Sequence, residues 1–112
     1  TRNLHLASFG DFQWLRPCAP VDLLVCSDVM HYVPSRELRQ GLPGLAELCG
    51  GVAFLELFTA EDEFHGDHDG FQQRPARWYK RQLREAGFRG VGSHCWLGPA
   101  FSEDIAALER AD

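Results

Sequence analysis

His31 is the side chain best suited to moving a proton in this chain, because a neutral imidazole titrates near working pH. It stands just beyond an apolar run. Asp22 opens the run, Leu23, Leu24, Val25 and Cys26 fill it, and the polar pair Ser27-Asp28 ends it. Val29, Met30, His31 and Tyr32 follow before Pro34. A short apolar run bounded by polar residues suits a strand buried on both faces of a parallel sheet. Ligands in α/β folds sit just beyond the carboxyl ends of such strands, so Cys26, Ser27, Asp28, Val29, Met30 and His31 are expected to line a pocket. Tyr32 would orient a bound molecule or form part of the wall. The alternative for His31 is a packing role or a cap for the following helix.

Three other groupings carry chemistry. The stretch Glu61-Asp62-Glu63-Phe64-His65-Gly66-Asp67-His68-Asp69 holds two histidines and five carboxylates. Its spacing fits neither a zinc set nor a calcium loop, so no metal is expected and a solvated lid is the better reading. Phe64, Phe71 and Trp78 would give such a lid apolar contacts, and Arg74 and Arg77 would hold an anionic group. Arg74, Arg77, Lys80, Arg81, Arg84 and Arg89 cluster, which reads as a solvated helix face or as a site for a phosphate or carboxylate. The cysteines are Cys18, Cys26, Cys49 and Cys95, with no C-x-x-C spacing, and reduced thiols point to the cytoplasm.

The elements that must hold these residues alternate. Leu4–Ser8 reads as a brief strand ending at Gly10-Asp11-Phe12, and Asp22–Ser27 as a second. Ser35 suits an N-cap, and Leu38, Leu42, Leu45 and Leu48 then recur at helical spacing over 35–49. Gly41, Pro43 and Gly44 weaken its middle and predict a kink. Gly50-Gly51 stops that helix before a buried strand over Val52–Phe58. Residues 59–74 form a long loop, and Pro75 opens a helix carrying Trp78, Leu83 and Ala86 that stops at Gly87. Phe88–Leu97 reads as one extended segment, and Ser102 caps a short helix over Glu103–Arg110. The β–α–β–α–β succession predicts a mostly parallel α/β sheet flanked by helices. At 112 residues and 45% hydrophobic content, one domain with a core is affordable, and the net charge of −5 argues against a nucleic-acid partner. No stretch is apolar enough to predict a membrane span.

The sequence from Asp22 to Tyr32 resembles the segment after strand 4 of class I S-adenosylmethionine-dependent methyltransferases, and Ala86-Gly87-Phe88 resembles the junction between the helix after strand 5 and strand 6. Gly10-Asp11-Phe12, about ten residues before Asp22, resembles the turn after strand 3. The resemblance implies a partial Rossmann-like fold whose full sheet is ordered 3-2-1-4-5-7-6. It also implies a role for each turn. Asp11 would accept from the adenine amino group of S-adenosyl-L-methionine and Phe12 would cover its ring. Residues Cys26, Ser27, Asp28, Val29 and Met30 would line the cofactor site, and His31 and Tyr32 would be the catalytic candidates.

Two family features have no counterpart here: the Gly-rich turn after strand 1 and the acidic residue after strand 2. Strands 3, 4, 5 and 6 can be matched, but no separate strand 7 is legible. The resemblance therefore implies that residues 1–112 are the C-terminal part of a methyltransferase domain, from about strand 3 onward, inactive by itself. A small-molecule methyl acceptor is the expected substrate. The alternative is a non-catalytic methyltransferase-like module, completed by a homodimer partner or another chain. A reductase-type α/β enzyme would need a Gly-rich phosphate turn, and none is present.

Overall fold

The computed structural model describes residues 4–63, 69–101 and 108. The apolar run after Asp22 becomes strand β1 (Val21–Ser27), and helix α1 (Ser35–Leu48) leads from it to strand β2 (Cys49–Glu56). Helix α2 (Ala76–Glu85) follows the long loop. The expected single extended segment at Phe88–Leu97 is instead a hairpin, β3 (Arg89–Gly92) and β4 (Cys95–Leu97). Ser93 and His94 form its two-residue turn at φ +54° and +63°. Positive φ at both central residues is what lets so short a loop match the twist of its strands.

The sheet order is β1-β2-β4-β3. β1 pairs parallel with β2, whereas β4 pairs antiparallel with both β2 and β3. The sheet is thus mixed, with one parallel and two antiparallel pairings, and not mostly parallel as expected. The hairpin is the reason, since a two-residue turn can only join antiparallel neighbours. β4 lies between two strands that run in the same direction.

Register settles which side is buried. Leu24 and Cys26 sit beside Ala53 and Leu55, and Ala53 faces Trp96 across β4. This face meets α1 and α2, whose Leu38, Leu42, Leu45, Tyr79 and Leu83 join Phe88 and Met30 in one core. The opposite face carries Leu23, Val25, Val52, Phe54 and Leu97 with no helix over it among the described residues, and Leu23 and Val25 remain 62% and 60% exposed.

The expected strand at Leu4–Ser8 is absent. These residues are irregular and exposed, and a 3-10 helix, Phe9–Gln13, follows them. A single short strand with no neighbour leaves its backbone groups unpaired, so nothing holds it extended. Ser35 is the first residue of α1, not its cap, and Pro34 takes the cap position. Pro43 sits inside α1 without ending it. The terminal helix expected over Glu103–Arg110 lies, Leu108 apart, outside the described residues.

Gly41 and Gly44 form the surface that receives the Phe9–Gln13 helix. A Cβ on Gly41 would come within 2.3 Å of the Phe9 carbonyl oxygen, and one on Gly44 within 1.7 Å of that of Phe12. The obstructing atoms are backbone, which cannot rotate away. In an open helix, Gly→Ala gains up to about 1 kcal/mol. Here Gly44→Ala should instead cost about 3 kcal/mol, at the upper end of overpacking costs. Urea unfolding of the variant checks the sign, and an increase in stability would contradict the docked position of Phe12.

Candidate functional site

The carboxyl end of β1 is organised by Glu56 at the end of β2. Ser27 Oγ donates to Glu56 Oε1 at 2.7 Å, and the Asp28 N–H donates to the Glu56 carbonyl at 2.9 Å. Asp28 takes φ +59°, a left-handed conformation that Asp adopts more readily than most residues. That turn reverses the chain into a short 3-10 helix, Met30–Tyr32. The Asp28 side chain is left 65% exposed.

His31 is fully buried. Its Nδ1 accepts from the Phe58 backbone N–H at 3.1 Å, so the ring proton belongs on Nε2. Nε2 lies 2.9 Å from Asp28 Oδ1. Tyr32, Phe58 and Phe71 surround the ring, with centroids 4.4, 5.6 and 5.5 Å away. The His31 carbonyl accepts from Gln72 N–H at 2.8 Å. The imidazole therefore stands behind the Asp28 carboxylate and is not open to solvent. Tyr32 is half-buried beside it.

Arg74 closes this assembly from behind. Only 6% exposed, it departs from the solvated face expected for the basic cluster, while Arg77, Lys80, Arg81 and Arg84 on α2 are exposed. Its guanidinium donates to the carbonyls of Met30 (3.4 Å) and Val33, to Ser35 Oγ (3.0 Å) and to the Tyr79 hydroxyl (2.8 Å). It lies 4.6 Å from the Trp78 ring centroid, within cation–π range. Among the described residues no carboxylate pairs with it. Four of its five N–H donors serve the chain's own oxygens, which gives Arg74 a structural role.

The proposed cofactor residues do not share one cleft. Asp11 caps the first 3-10 helix, its Oδ2 accepting from Ser8 N–H at 3.0 Å, and lines an open cleft with Gly10, Trp14, Arg36 and Glu37. Phe12, Cys26 and Val29 line a neighbouring apolar cleft of about 360 Å³, and Ser8 borders both. Met30 is wholly in the core. Burial pushes the Cys26 thiol up to about 11, so it stays protonated and inert at neutral pH. Cys18, Cys26, Cys49 and Cys95 are all free. Phe64, His65, Gly66, Asp67 and His68 lie outside the described residues.

Another cleft takes in Tyr79 and Trp96, neither of which stood out in the sequence. It measures about 550 Å³ and lies between α2 and the sheet, at the carboxyl end of β2. Ala76, Tyr79, Lys80 and Leu83 supply one wall at helical spacing, and Leu55, Leu57 and Trp96 supply the other. Glu61 and Asp62 border it on the loop after β2. The 76-79-80-83 face was legible as a helical stripe. Trp96 was not, because its place depends on the hairpin. Among the described residues no helix is long and apolar enough to cross a membrane, and no group of three His, Cys, Asp or Glu side chains is arranged to hold a metal. No family model, curated protein or solved structure matches the chain.

Proposed function

We propose that this chain is the C-terminal part of a class I methyltransferase domain, which transfers a methyl group from S-adenosyl-L-methionine to a small-molecule acceptor. The strand order carries the reading. If β1 and β2 correspond to family strands 4 and 5, and the hairpin to strands 6 and 7, then β1-β2-β4-β3 coincides with the half-order 4-5-7-6. The coincidence includes the antiparallel strand inserted between two that run alike. It arises from backbone pairing, independently of the Asp22–Tyr32 side chains that first suggested the family.

S-Adenosyl-L-methionine, when bound, supplies an electrophilic methyl group on a sulfonium. The residues here offer the adenine end of that molecule contacts in two adjoining clefts that Ser8 borders. Asp11 keeps Oδ1 for the exocyclic amine, and Phe12, Cys26 and Val29 offer an apolar cleft for a flat ring. The described residues include no Gly-rich turn for its methionine part. Asp28 presents the exposed carboxylate at the end of β1, suited to take a proton from an acceptor that must lose one. His31 Nε2 stands 2.9 Å behind that carboxylate, and any contribution it makes to catalysis runs through Asp28.

Calorimetry on the whole protein tests the assignment. Asp11→Ala should weaken cofactor binding by about ten- to a hundredfold, as loss of a hydrogen bond to a charged acceptor does, with little change in kcat. Asp28→Asn should lower kcat. The 112-residue chain alone should show no tight cofactor site, and a micromolar one-to-one isotherm there would overturn the reading. A second reading, a non-catalytic module completed by another chain, is favoured by the uncovered sheet face and open β1 edge. A Gly-rich strand–turn encoded in frame upstream decides for the enzyme.

A further inference from the structure

We propose that the outer face of α2 docks an acidic segment of a partner protein. The inference goes beyond the methyltransferase reading and does not depend on it. Arg77, Lys80, Arg81 and Arg84 are exposed and recur at helical spacing, so they form one stripe on the side of α2 opposite the buried Tyr79 and Leu83. At about 1.5 Å per residue the stripe runs roughly 10 Å along the helix. Among the described residues, no carboxylate stands in ion-pair range of these four side chains. The charges around the stripe do not cancel it. Glu61 feels Arg77, Asp62 borders the cleft that Lys80 lines, and Glu85 follows Arg84. Against these three carboxylates stand the four cations of the stripe together with Arg89, whose guanidinium donates to the Arg84 carbonyl. The excess is positive on a chain whose net charge is −5.

The stripe works against its own helix. Arg77 stands three and four residues from Lys80 and Arg81, and Arg84 stands four and three from the same pair, which makes four like-charge neighbour pairs. Each such pair weakens a helix. On α2 only Glu85 offsets them, four residues after Arg81, and only Arg84 lies in the last turn, where a cation complements the helix dipole. Sequences break local rules of this kind mainly at functional sites. A row of carboxylates on a partner turns each repulsion into attraction. Nucleic acid suits the stripe less, since single strands need open aromatic faces beside the cations. Trp78 has Arg39 and Arg74 over its ring, at 5.7 and 4.6 Å, and Tyr79 is buried. A lipid surface would need the apolar face of the helix, which the core holds.

Fluorescein-labelled octaglutamate and octauridylate are each titrated with the full chain and followed by anisotropy. Octaglutamate should bind saturably, about tenfold more tightly than octauridylate, and should weaken about tenfold as salt rises from roughly 0.05 to 0.5 M. Lys80→Gln with Arg81→Gln removes all four repulsive pairs and keeps Arg77 and Arg84. That double variant should lose about tenfold or more in octaglutamate affinity, while its thermal midpoint holds or rises. Arg36→Gln removes a charge from an exposed site on α1 and should leave the affinity unchanged. Absence of saturation, equal or tighter binding of octauridylate, an equal loss in Arg36→Gln, or a lowered midpoint in the double variant would each overturn the proposal. The last of these would show that the stripe serves the helix itself.

Discussion

Replacing Arg74 by methionine should cost the fold about 3–5 kcal/mol, because it leaves the Val33 carbonyl and the Tyr79 hydroxyl buried without their guanidinium donor, at roughly 1–3 kcal/mol each, while the Met30 carbonyl keeps only the Val33 N–H. That loss is comparable with the whole stability of a small domain, about 5–15 kcal/mol. Methionine fills similar volume, so the effect reads hydrogen bonding more than packing. Arg74→Lys should recover part of the loss, since a single ammonium cannot reach groups that a planar guanidinium serves in several directions. Urea unfolding gives the energies, and hydrogen exchange at amides 29–33 locates the loosening. A methionine variant within about 1 kcal/mol of the parent would show that solvent reaches those oxygens.

The isolated chain should associate with itself. β1 is an edge strand, and it displays Leu23 and Val25 on a sheet face that no described helix covers. Trp14, Leu4 and Leu6 add exposed apolar area nearby in sequence, at 70%, 77% and 106% exposure. Open apolar edges recruit further strands, and parallel pairs are ordinarily covered on both faces. Light scattering should therefore report a mass above the monomer, growing with concentration. Leu23→Lys together with Val25→Lys should restore the monomer while leaving the helix content unchanged, because both side chains point away from the core. A monodisperse parent chain would mean that the open face is self-sufficient, and would remove the main support for a missing partner segment.

Much of the fold was legible because local pattern and tertiary role agree. The leucine spacing from Leu38 to Leu48 fixed α1, the apolar runs at Leu23–Cys26 and Val52–Leu55 fixed the parallel pair, and Pro75 and Gly87 bracketed α2. The site was legible in part. Ser27, Asp28 and His31 stand at the end of β1 as expected, but His31 is sealed and Met30 belongs to the core. Asp11 and Phe12 occupy neighbouring clefts, since a 3-10 helix turns their side chains apart.

What the sequence determined by itself is the periodicity that makes α1, α2, β1 and β2, and the breaks at Pro75 and Gly87. Tertiary structure decided the rest. Gly41 and Gly44 look like defects in a helix until Phe9 and Phe12 dock against them. Arg74 looks like one more surface charge until three elements converge on it. The tract Phe88–Leu97 carries no strong turn pair, yet it folds back so that β4 inserts beside β2. Each of these depends on contacts between residues far apart in the chain, whose energies exceed local propensities of about 1 kcal/mol or less per residue. Local pattern cannot register such contacts, because the partner that supplies the energy lies outside its window.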